Sequence, residues 1–258
     1  MNIENELKKD GITVIKPLDT LSITLIAKFV ADKFMSFFPF SCLRYHHLFM
    51  QISRLDMYIA DIPEGMSEAN YFYKNSSIYF KDGLTIDEMK ELTVHEFLHH
   101  FQEIKDLKGN LYRLGLCDFT GIKVHGMALN EAAVQLISSK ILNKQPDTVK
   151  YYGIEFTTIT PSYYPLICNL VNQMAYIVGD VVLYDSTLYS NDRFKRAFIR
   201  ATSESTFHRI EKNFDKILDA EEKIIKITSH TQNDDLTQKE IAKASTQISF
   251  YKKLIQNT

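Results

Sequence analysis

Residues 85–105 read TIDEMKELTVHEFLHHFQEIK, and within them His95, Glu96 and His99 stand in the spacing H-E-x-x-H. The chemistry of that spacing depends on a helix, and the stretch carries helix signals at both ends. Thr85 followed three residues later by Glu88 has the form of a capping box, and Asp87 and Glu88 put negative charge where the helix dipole favours it. Apolar residues recur at Ile86, Met89, Leu92, Phe97, Leu98, Phe101 and Ile104, the spacing of a helix with one buried face. A lysine-containing last turn followed by Gly109 predicts the stop.

Residues four apart on a helix are neighbours, with Cβ atoms about 6 Å apart. His95 and His99 are therefore expected to point at one centre and to bind Zn²⁺ through bonds of about 2.0–2.1 Å. Glu96, displaced around the helix, is expected to reach the open position beside the metal and to act as general base. Zinc brings the pKa of its bound water to about 7, which makes a nucleophile available at neutral pH. His100 lies outside the motif and reads as a flanking polar residue.

The 258 residues suffice for one large core or two small ones, and 45% hydrophobic with 24% charged residues is the balance of a globular protein. A net charge of −2 gives no electrostatic case for nucleic acid or an anionic membrane as partner. Residues 21–40 and 163–183 approach the length of a membrane span. Lys28, Asp32 and Lys33 in the first, and Asn169, Asn172, Gln173 and Asp180 in the second, predict buried helices instead. The N-terminus MNIENELKKDG lacks the pattern of a signal peptide, so the expected location is cytoplasmic. Cys42, Cys117 and Cys168 are odd in number and widely spaced, which predicts buried free thiols rather than a disulfide framework.

Upstream of the motif, the pattern predicts a strand at 12–15, an apolar core helix at 20–38 ended by Pro39, and a strand at 55–60. Residues 71–73 and 78–80 form a hairpin across Lys74–Ser77, with an Asp82-Gly83 turn before the metal helix. Downstream, Gly109, Gly115, Gly121 and Gly126 mark an irregular connection, and GMALNEAAVQLISSKIL forms a second helix whose Ala132 and Ala133 permit close approach of a neighbour. The rest reads as helices at 163–183, 194–227 and 237–255 with a polar break at 230–235. The expected fold is α+β and mostly helical, divided into an N-terminal α/β part, 1–107, carrying the H-E-x-x-H helix, and a helical part, 108–258.

Two histidines leave zinc short of the three protein ligands usual in catalytic sites. Glu103 lies two turns beyond His95, about 12 Å along a straight helix, and Asp106 lies farther. His125 and Cys117 in the glycine-rich connection remain within reach, as does Glu131 on the second helix.

At Asn130-Glu131 the chain resembles the gluzincins, zinc metallopeptidases in which H-E-x-x-H is completed by a glutamate on a later helix, often preceded by Asn. The likeness covers residues 55–142. It implies a zincin-like core with a C-terminal helical region, His95, His99 and Glu131 as zinc ligands, Glu96 as base, and an edge strand near 71–80 that holds an extended peptide or protein substrate. Gln135 departs from the family, which often has an acidic residue four positions after the glutamate ligand. The metzincin pattern would need glycine at 102 and histidine at 105, where Gln102 and Lys105 stand. An oxyanion donor is expected from Tyr151, Tyr152, Tyr163, Tyr164 or His208. The alternatives are a non-catalytic protein stabilised by zinc, which would have no use for Glu96, and a hydrolase of non-peptide amides.

Overall fold

A computed structural model describes residues 3–9, 11–38, 43–119, 124, 126–230 and 235–256. Pro39, Cys42, Gly121, His125 and the centre of the 230–235 break lie outside the described residues. The architecture is α+β and mostly helical. It divides into two units, Met1–Phe101 and Gln102–Thr258.

The first unit begins with α1 (Ile3–Lys9), β1 (Thr13–Pro17) and α2 (Thr20–Phe37). Asp19 caps α2 by accepting from the Ser22 N–H at 2.9 Å. Next come α3 (Tyr45–Ser53), β2 (Asp56–Asp61), β3 (Ala69–Phe72), β4 (Ser77–Lys81) and α4 (Ile86–Gln102). One sheet has the order β1-β2-β4-β3. β2 runs parallel to β4, and β3 closes the edge as the antiparallel partner of β4. The hairpin across 74–77 is thus present. α3 is an addition to the expected elements. Its N-cap, Arg44, makes no side-chain capping bond, so there was no start signal to read.

The capping box of α4 is formed in both directions. Thr85 N–H donates to Glu88 Oε2 at 2.7 Å, and Glu88 N–H donates to Thr85 Oγ1 at 3.3 Å. The backbone and side-chain hydrogen bonds from Thr85 hold the Glu88 carboxyl below the ordinary carboxylate range, outweighing the opposing effect of desolvation. Val94, Phe97 and Leu98 are fully buried, and the Phe97 ring meets Phe34 of α2 edge-on at 5.3 Å. This packing presents the next helical positions, 95, 96 and 99, as a set.

Helix α4 ends earlier than its apolar spacing implies. Glu103–Lys105 is a strand, β5, in a small sheet with β6 (Leu111–Leu114) and β7 (Cys117–Asp118). Asp106 explains the change. Its Oδ1 accepts from the N–H groups of Lys108 and Asn110 at 2.8 and 2.9 Å, a turn that folds β6 back on β5 and competes with continued helix.

In the second unit follow α5 (Met127–Ile141), the hairpin β8 (Asp147–Tyr151) and β9 (Ile154–Thr158), then α6 (Pro165–Val178), α7 (Asp180–Leu188), α8 (Arg193–Ala201), α9 (Glu204–His230) and α10 (Asp235–Gln256). The hairpin corrects the wholly helical reading of this region. The expected helix at 163–183 is two helices bent by 113° at Gly179, whose φ of 100° lies in the region that favours glycine. The expected helix at 194–227 is also two, because Ser203 starts α9 by accepting from the Thr206 N–H at 3.1 Å. The core joins α5, α6, α8, α9 and α10 around residues such as Ala132, Val171, Phe194, Phe214 and Ile248. Among the described residues no single helix is long and apolar enough to cross a membrane.

Candidate metal centre

His95 and His99 lie on consecutive turns of α4 with their Nε2 atoms 3.0 Å apart. Two metal bonds of about 2.0–2.1 Å at a tetrahedral angle place nitrogen donors about 3.3 Å apart, so the pair is already near the separation a single ion requires. His99 is buried and His95 half-buried.

Glu131 comes from α5, which is built to lie deep. Ala128, Ala132 and Ala133 are fully buried, and Cys168 Sγ of α6 comes within 3.6 Å of the Ala132 carbonyl, the close approach their small side chains permit. At the start of α5, where Gly126 offers no side-chain cap, the Ala128 N–H donates to Asp215 Oδ1 of α9 at 3.4 Å. Glu131, one turn further, is half-buried. Donor atoms of His95, His99 and Glu131 lie within 4.8 Å of one another. Two imidazoles and a carboxylate in that space can hold a metal ion, so the three expected ligands are brought together.

The competing donors are placed differently. Glu103 is paired with Lys105 at 2.6 Å in the small sheet. Cys117 is a buried free thiol whose Sγ faces Met127 Sδ at 3.8 Å. Burial, and then the charges of Asp215, Glu131, Asp118 and Glu211, push that thiol up to about 12 and disfavour the thiolate that would bind metal. Cys168 is likewise free and buried.

Glu96 is only 5% exposed, and its Oε2 accepts a hydrogen bond from the backbone N–H of Tyr71 at 2.7 Å. Strand register explains why that amide is available. The Lys81 N–H bonds to the Glu68 carbonyl, so with Tyr71 opposite Ile78 the amide of Tyr71 points away from β4. The Tyr71 hydroxyl also lies 2.9 Å from His100 Nδ1. His100, read from sequence as a flanking residue, thus links the edge strand to α4. No sequence signal marks that pair, because it joins residues 29 apart.

Of the five expected oxyanion donors, the surroundings differ sharply. The Tyr151 phenol bonds to Glu221, and His208 is exposed between Glu204 and Glu211. Tyr164 stands in the left-handed region at φ 49° as the N-cap of α6. Burial, followed by the negative charge of Glu131, raises its phenol well above the ordinary tyrosine range. It therefore stays protonated, as a hydrogen-bond donor must. Compared with known proteins, the chain matches no family model, no curated protein and no solved structure.

Proposed function

We propose that the chain is a zinc-dependent metallopeptidase of the gluzincin type, with a zincin-like core. The observation that carries this reading is the convergence of His95, His99 and Glu131 donors within 4.8 Å, one helical position away from a buried Glu96. When bound, zinc supplies a Lewis acid for the scissile carbonyl and a water nucleophile near neutral pH. The imidazoles and the Glu131 carboxylate hold it. Glu96 takes the proton from the attacking water, and the Tyr71 amide holds its carboxylate in place through Oε2.

The substrate class follows from the edge of the sheet. β3 is the edge strand of its sheet, and the main-chain groups of Ala69 point away from β4 on the side where Glu96 holds the Tyr71 N–H, which suits the addition of an extended peptide strand beside the carboxylate. Tyr164 is the donor we assign to the oxyanion, because its phenol senses the charge of Glu131, whereas Tyr151 and Tyr152 sense Glu221.

The test combines metal analysis of protein purified without added metal with cleavage of an unbiased peptide library. Near one equivalent of zinc, and cleavage that a chelator abolishes, are expected. Zinc absent even after reconstitution overturns the metal centre, and zinc bound without cleavage of any peptide or amide leaves the non-catalytic reading in its place.

A further inference from the structure

Gln102 and Asn130, near the ligands in sequence, join Ser190 in a buried polar knot in which Gln102 Nε2 alone has no hydrogen-bond partner among the described residues. Asn130, fully buried, accepts from the Leu116 N–H at 3.0 Å and donates through Nδ2 to Gln102 Oε1 at 3.4 Å. The Ser190 hydroxyl accepts from the Gly115 N–H at 2.7 Å and donates to the Gln102 carbonyl. Gln102 and Ser190 are themselves 1% and 5% exposed. The two amide side chains lie flush on bare backbone. A Cβ at Gly115, where φ is +55°, would sit 2.2 Å from Asn130 Oδ1 and 2.5 Å from Gln102 Nε2. Ser190 holds a left-handed φ of 47°, a conformation unfavourable for a non-glycine residue.

Position is what the knot controls. Gln102 follows His99 by one turn of α4, and Asn130 is peptide-bonded to Glu131. On a helix each residue turns about 100°, so a slip of α5 by one position would aim the Glu131 carboxylate elsewhere. We propose that Gln102, Asn130 and Ser190 are positioning residues of the metal centre, which set the register of Glu131 through the backbone. This inference rests on the metal-centre reading and is independent of whether the chain cleaves peptides.

The test is zinc affinity of the full-length apo-protein, measured by competition with a chromophoric chelator, in Asn130→Ala and Ser190→Ala, which leave all three ligands in place. Affinity is referred to the folded apo state, so a loss of global stability alone leaves it unchanged. About 10-fold weaker binding in each variant, with unchanged helix content, is expected. Parental affinity in a folded Ser190→Ala protein overturns the inference, and that variant, which removes one oxygen, decides alone if Asn130→Ala fails to fold. If the parent protein binds no zinc, the metal centre itself fails and takes the inference with it, an outcome separable from the first.

Discussion

The backbone N–H of Tyr71 lies 2.7 Å from Glu96 Oε2, so the edge strand holds the carboxylate next to the two histidines. Glutamine at position 96 keeps an acceptor for that amide but cannot take a proton from water. Glu96→Gln is therefore expected to retain zinc and thermal stability while cleavage falls by on the order of 10²-fold or more. Zinc content, a melting curve and a cleavage rate on the same preparation check this, and a variant as fast as the parent removes Glu96 from the role of base.

The carboxylate of Glu131 is the third donor of the group. Glu131→Ala is expected to weaken zinc binding at least about 10-fold with helix content unchanged. Cys117→Ala is the matched control, because the thiol faces Met127 and burial keeps it protonated. A chelator competition titration separates the two. Equal affinities in parent and Glu131→Ala would shift the third ligand to another side chain.

Tyr164 is expected to act late, on charge that develops at the carbonyl oxygen, so its loss falls on kcat more than on KM. Tyr164→Phe should cost on the order of 10²-fold in kcat while zinc content stays the same. Steady-state kinetics on any peptide cleaved by the parent give the split. A change confined to KM would make Tyr164 part of substrate binding instead.

What could be read from sequence was local. Thr85 and Glu88 carry a capping box within four residues, and both of its bonds form. His95 and His99 share a face through helical periodicity alone, and the 74–77 turn announces its hairpin. The unread features depend on partners far away or on one residue's backbone. The small sheet after α4 rests on the Asp106 turn, the Gly179 bend on a single φ, and α3 on tertiary packing without a cap. In the site, Tyr71 and His100 meet across 29 positions, and Gln102 and Ser190 across 88. No periodicity reports such pairs. In the sequence Asn130 stands out only as the neighbour of Glu131, and its amide bonds to Leu116 and Gln102 give it a physical role.

Glu221 on α9 makes stability depend on pH. It is 4% exposed, its Oε1 has no hydrogen-bond partner among the described residues, and it meets the Tyr151 phenol on the other side. Burial raises its pKa from an ordinary 4.5 to about 7; the Tyr151 bond opposes the rise, and Glu222 adds to it. The folded state thus binds this proton more tightly than the unfolded chain does. Its stabilising share is complete below about pH 4.5, falls as pH rises, and is gone above about pH 7, a change of about 3 kcal/mol. Urea unfolding of the metal-free protein at pH 5 and pH 8 should show the parent losing stability across that interval. In Glu221→Gln, which is neutral throughout and keeps an acceptor for Tyr151, the loss should shrink by about that amount, with the variant the more stable of the two at pH 8. Metal-free conditions matter because metal binding is itself pH-dependent. Equal losses in parent and variant would assign the pH dependence to other groups and leave the buried carboxylate without an energetic signature.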